Sequence, residues 1–114
     1  MAREATDVSL PTEQTVEKAL LYLAESDEQY AQLYAAKDAL KERIKIAKAR
    51  AFLLSNESTA KAKEMAADCD PEVERYIDDW ENTVAEYKLL ESKRKRAEIT
   101  IDVWRSVNAS RRRT

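Results

Sequence analysis

Eight basic side chains crowd the last part of this chain: the tetrad Lys93, Arg94, Lys95 and Arg96, then Arg105, then Arg111, Arg112 and Arg113. Guanidinium and ammonium groups gathered this way serve one chemistry above others, the binding of phosphates or carboxylates on a partner. Four consecutive cations on a helix wrap most of a turn, so some must face outward however Arg94 packs, and the final three arginines are expected as a mobile tail. A second reading gives the same residues no partner, because cations near a helix C-terminus also offset the negative end of its dipole and balance acidic segments elsewhere. The net charge of −2 and pI near 5.3 weigh against a general DNA-coating role, since such domains are usually basic throughout.

A second charged surface is acidic: Glu72, Glu74, Asp78, Asp79, Glu81 and Glu86 lie within fifteen residues, and Glu13 to Glu28 forms another acidic stretch. Carboxylate pairs do general acid/base work only when two converge on one reacting bond. Neighbours in a helix point in different directions, so a solvated helix face is the expectation. The chain has no histidine and no glycine, which removes the common neutral-pH acid/base and metal ligand as well as the glycine loops that cradle nucleotides. Cys69 is the one cysteine, lies between Asp68 and Asp70, and has neighbours that disfavour its thiolate. No catalytic residue, metal site, cofactor or small-molecule substrate is expected; the protein is read as a non-enzyme that acts by binding.

The elements that must carry these charges are helices. Both prolines, Pro11 and Pro71, sit where a helix begins. Residues 1–11 lack periodicity and read as a flexible arm. Val16, Ala19, Leu20 and Leu23 mark a short helix over 12–25, and Ser26 followed by Gln29 has the form of a capping box at which a second helix, 26–55, starts or bends. That helix carries Tyr30, Leu33, Leu40, Ile44, Ala47, Ala51 and Leu54 at spacings mostly of three and four. Residues 59–68 form a short helix or a loop. Asp70-Pro71-Glu72 restarts a long helix over 71–108 with a stripe of Val73, Ile77, Trp80, Val84, Tyr87, Leu90, Ala97, Ile101 and Trp104, and residues 109–114 are its basic tail. The tyrosines and tryptophans fall on these stripes and read as core or rim residues, and Phe52-Leu53-Leu54 reads as an apolar cluster covered within the chain by the connecting segment or, as the alternative, by a partner.

Two long helices with a short connection must fold back on each other, so the expected fold is all-α: one domain, an extended antiparallel helical hairpin resembling a coiled coil, with the first short helix packed on it and a short connecting helix. Charge predicts the same pairing. Residues 1–36 carry −5, 37–50 carry +4, 51–70 carry −2, 71–92 carry −5 and 93–114 carry +6, so a fold about residue 63 lays opposite blocks side by side. With so much exposed charge the core is thin, and a homo-oligomer is expected. No apolar run approaches the roughly 20 residues of a membrane span, and no signal peptide is evident, which points to the cytoplasm.

The run Tyr87-Lys-Leu-Leu-Glu-Ser-Lys-Arg-Lys-Arg-Ala-Glu-Ile-Thr-Ile-Asp-Val-Trp-Arg-Ser, with the earlier Thr15-Val-Glu-Lys-Ala-Leu and Ser26-Asp-Glu-Gln-Tyr-Ala, resembles small helical accessory proteins of bacteriophages and prophages, encoded in early regions near recombination and single-strand annealing functions. The resemblance implies a bacterial host cytoplasm and no catalytic motif. It also implies a role beside a recombination or DNA-metabolism protein or nucleic acid, through Lys93 to Arg96 and Arg111 to Arg113. The alternative of the same origin is an anti-defence inhibitor, of the anti-CRISPR kind, whose acidic faces occupy a basic channel of a host complex. A self-associating structural coiled coil is the third reading.

Overall fold

In the computed structural model, residues 10–112 are described. They form three helices: α1 (Glu13–Leu54), α2 (Ala60–Asp68) and α3 (Pro71–Arg112). The fold is the all-α helical hairpin expected, with α1 and α3 as its arms and α2 as the short helix between them. The tight connections are made without glycine, and no described residue has a positive φ.

Local chemistry sets each start. Thr12 and Thr15 cap α1 reciprocally: the Thr15 N–H donates to Thr12 Oγ1 at 3.3 Å and the Thr12 N–H to Thr15 Oγ1 at 2.7 Å. Thr59 caps α2, accepting from the Ala62 N–H at 3.1 Å. Asp70 caps α3, its Oδ1 accepting from the N–H groups of Glu72 and Val73 at 2.9 and 3.3 Å, with Pro71 in the first turn, where its missing N–H costs nothing.

Two boundaries differ from the sequence reading. Helix α1 runs unbroken through Ser26, so the segment 12–25 is the first part of a 42-residue helix and not a separate short one. Ser26 is buried and caps nothing; its hydroxyl donates back to the Tyr22 carbonyl at 2.7 Å. At the other end, α3 continues to Arg112, four residues past the expected stop, so Ala109 to Arg112 are helical and not a loose tail. The arm expected over 1–11 falls largely outside the described residues, as does Arg113.

The buried and half-buried positions explain why these helices pair. On α1 they include Val16, Ala19, Leu23, Ser26, Tyr30, Leu33, Lys37, Leu40, Ile44, Ala47 and Ala51; on α3, Val73, Tyr76, Trp80, Thr83, Tyr87, Leu90, Arg94, Ala97, Ile101, Trp104 and Asn108. Both series step strictly by three and four, the heptad seam of a coiled coil. Polar side chains occupy seam positions at Ser26, Lys37, Thr83, Arg94 and Asn108.

The chain divides into two compact units, one formed by residues up to Glu28 with those from Leu90 on, the other by Gln29–Leu89. In the first, Val16, Ala19, Ala97 and Ile101 form a buried cluster, with Tyr22, Leu23 and Trp104 packed on it. Arg94 of α3 crosses to α1: Nη1 donates to the Leu23 carbonyl at 2.9 Å and to Ser26 Oγ at 2.8 Å, and Nη2 to Asp27 Oδ1 at 2.6 Å. In the second, the Tyr30 and Tyr87 rings stack at 5.1 Å with their hydroxyls 3.0 Å apart, and Lys37 Nζ lies 4.3 Å from the Tyr34 ring centre and 5.1 Å from that of Tyr87. Arg50 pairs with Glu72 at 3.5 Å and Lys48 with Asp68 at 3.6 Å. Val73 is completely buried. The Asp27–Arg94 and Arg50–Glu72 pairings are each those of a turn centred near residue 61, close to the 63 that the charge blocks predict.

The apolar cluster Phe52-Leu53-Leu54 is not covered as a whole. Phe52 is half-buried beside Lys63, whose Nζ lies 5.7 Å from its ring centre, while Leu53 and Leu54 are 78% and 74% exposed.

Candidate anion-binding groove

The basic residues singled out in the sequence divide sharply by position on α3. Arg94 points into the seam, and its side chain is only 15% exposed. That guanidinium is occupied by a carbonyl, a hydroxyl and a carboxylate of α1, so it holds the helices in register and its charge faces inward. Lys93 and Arg96 flank it and are exposed. Both line an open groove of about 400 Å³ in the first unit, together with Lys18 of α1. The floor is small and apolar, made by Ala19, Ala97 and the half-buried ring of Tyr22.

Thr15 and Thr100 complete the rim. Their hydroxyl protons are committed within the helices, Thr15 Oγ1 donating to the Thr12 carbonyl at 2.7 Å and Thr100 Oγ1 to the Arg96 carbonyl at 2.9 Å. Donation to a ligand anion therefore falls to the three cations. Among the described residues, Lys18, Lys93 and Arg96 make no ion pair, and no carboxylate lines the groove. Three like charges on one small concavity repel one another, and a bound anion relieves that repulsion.

No known protein family, curated protein or solved structure matches this chain.

The remaining basic residues stand apart from the groove. Lys95 is exposed and does not line it. Arg105 is exposed and 4.0 Å from Asp102 one turn earlier. Arg111 lines a separate hollow of about 480 Å³ with Glu13, Thr12 and Trp104, and Arg112 is the last residue of α3. So of the eight basic positions, the fold brings Lys93 and Arg96 together and adds Lys18, which sequence reasoning did not single out. The signal for Lys18 was present: it and Arg3 are the only cations among residues 1–36, but averaging charge over that block buries a lone lysine in a net −5.

The acidic candidates on α3 lie in the second unit, whereas the stretch Glu13 to Glu28 lies in the first. Glu72 is drawn into the Arg50 pair. Glu74, Asp78, Asp79, Glu81 and Glu86 are exposed on α3, and none makes an ion pair among the described residues. The described residues hold no group of three His, Cys, Asp or Glu side chains able to bind a metal, Cys69 is exposed, and no described helix is long and apolar enough to cross a membrane.

Proposed function

We propose that this protein is a non-enzymatic accessory factor of the phage type that acts by binding nucleic acid in the course of DNA metabolism. One observation carries the reading: Lys18, Lys93 and Arg96, from two helices far apart in sequence, converge on one groove without a carboxylate to neutralise them. Phosphates supply the missing counter-charge, and releasing their condensed cations drives association. Lys95, Arg105, Arg111 and Arg112 widen the positive surface along α3.

The test is fluorescence anisotropy with labelled single-stranded and duplex DNA at low and physiological salt, comparing the native protein with a Lys93→Ala/Lys95→Ala/Arg96→Ala variant that keeps Arg94. Salt-sensitive binding that the variant loses supports the reading; no binding at low salt overturns it.

A second reading rests on the acidic side of α3. Glu74, Asp78 and Glu81 recur at four and three residues, share one helix face and are unpaired among the described residues, so a basic host protein would find complementary charge there, as an anti-defence inhibitor requires. That reading calls for no DNA affinity and for loss of host-protein binding when those three residues are reversed to lysine.

A further inference from the structure

We infer that the groove between Lys18, Lys93 and Arg96 is a seat for a nucleotide unit of a single strand, with a base on the Tyr22 ring and the adjoining phosphates on the three cations. The inference rests on the nucleic-acid reading above and adds what the groove selects. A duplex presents phosphates outside and keeps its base faces stacked within, so it uses the cations alone. An unpaired strand offers both phosphates and an aromatic face. The groove offers both counterparts: cations on its two flanks and, between them, an aromatic ring beside two alanines whose small side chains leave the floor open. A charged groove with a stacking surface is the recurring design for single-stranded nucleic acid. At about 400 Å³ the space suits a nucleotide-sized group.

The arrangement also separates roles that the sequence runs together. Lys18 lies 75 residues from Lys93 yet shares its ligand, while Arg94, next to Lys93, does not. The experiment compares a labelled 20-residue thymidine strand with a duplex of equal length at matched salt, for the native protein and for Lys18→Ala, Tyr22→Leu and Lys61→Ala, with helix content followed by circular dichroism. The native protein is expected to prefer the single strand. Lys18→Ala should weaken that binding about tenfold at low salt and make its salt dependence shallower by about 0.7 in the log–log slope, as one phosphate contact is lost. Tyr22→Leu, which keeps an apolar side chain against the buried cluster, should cost the single strand about tenfold through lost stacking and leave the duplex unchanged. Lys61→Ala, an exposed lysine of α2 outside the groove, should change single-strand affinity less than twofold.

Native protein that binds neither DNA overturns the nucleic-acid reading and this inference with it. Binding that Lys18→Ala and Tyr22→Leu leave intact overturns the groove alone, as does an equal or greater affinity for duplex. Thymidine monophosphate competing as well as the strand, nucleotide for nucleotide, would make the ligand a free nucleotide and overturn the strand.

Discussion

At the residue scale, Arg94 shows how a side chain changes meaning with its neighbours. In a row of four cations it is one of four equivalent charges. On α3 its position coincides with the seam, where a planar guanidinium reaches a carbonyl, a hydroxyl and a carboxylate at once. Replacing it removes charge-assisted hydrogen bonds to the Leu23 carbonyl, the Ser26 hydroxyl and the Asp27 carboxylate, so Arg94→Ala should lower stability by about 2 kcal/mol in urea unfolding. Arg94→Lys should recover only part, since one ammonium cannot span the three acceptors. Neither should change the DNA affinity of the folded protein as Lys93→Ala does. Val73, with no exposed surface, is the other residue whose loss is readily sized: Val73→Ala removes two methyl groups and leaves a cavity, costing about 2 kcal/mol.

At the element scale, the seam mixes apolar and polar positions, and the polar ones specify pairing at some cost in stability. Lys37 sits on the α1 seam between the Tyr34 and Tyr87 rings, a contact of order 0.5–1 kcal/mol. A buried leucine there contributes more, about 1.5–3 kcal/mol. Lys37→Leu should therefore raise the melting temperature while loosening register, read as a new species in sedimentation velocity. The caps act on single helices: Thr59→Ala and Asp70→Ala should each cost about 1 kcal/mol in chemical unfolding. These elements also show how far the sequence carried. Asp70-Pro71 marked the start of α3 because the capping chemistry is wholly local. Ser26 misled because its hydroxyl suits a cap as well as a seam, and the contact that decides between them comes from Arg94, 68 residues away.

At the scale of the whole molecule, opposed charge blocks agree with the fold-back point, and the pairs Lys48–Asp68, Arg50–Glu72 and Arg94–Asp27 join different helices. Exposed pairs contribute about 0–1 kcal/mol each, so raising salt from 0.05 to 0.5 M should move the melting temperature by only a few degrees while nearly abolishing DNA binding. Stability has to come from the seam. Of the nine buried apolar residues among those described, four are alanines, which let the helices approach closely but bury little area. Leu53, Leu54 and Met65 remain exposed. A second copy covering them would add what the seam lacks, so sedimentation equilibrium is expected to give a mass above 13.1 kDa that Leu53→Glu/Leu54→Glu returns to monomer.

Helix class, the capped start of α3, the absence of histidine and glycine, and the antiparallel fold-back were legible in the chain alone. They depend on backbone chemistry within one turn, on three-and-four periodicity and on charge summed over long blocks, all of which survive without knowing which residues meet. The unbroken passage of α1 through Ser26, the inward turn of Arg94 and the joining of Lys18 to Lys93 and Arg96 were decided only in tertiary structure. Each depends on which side chain of one helix lies against which of the other, and a polar residue on a seam reads in sequence as a break in the seam.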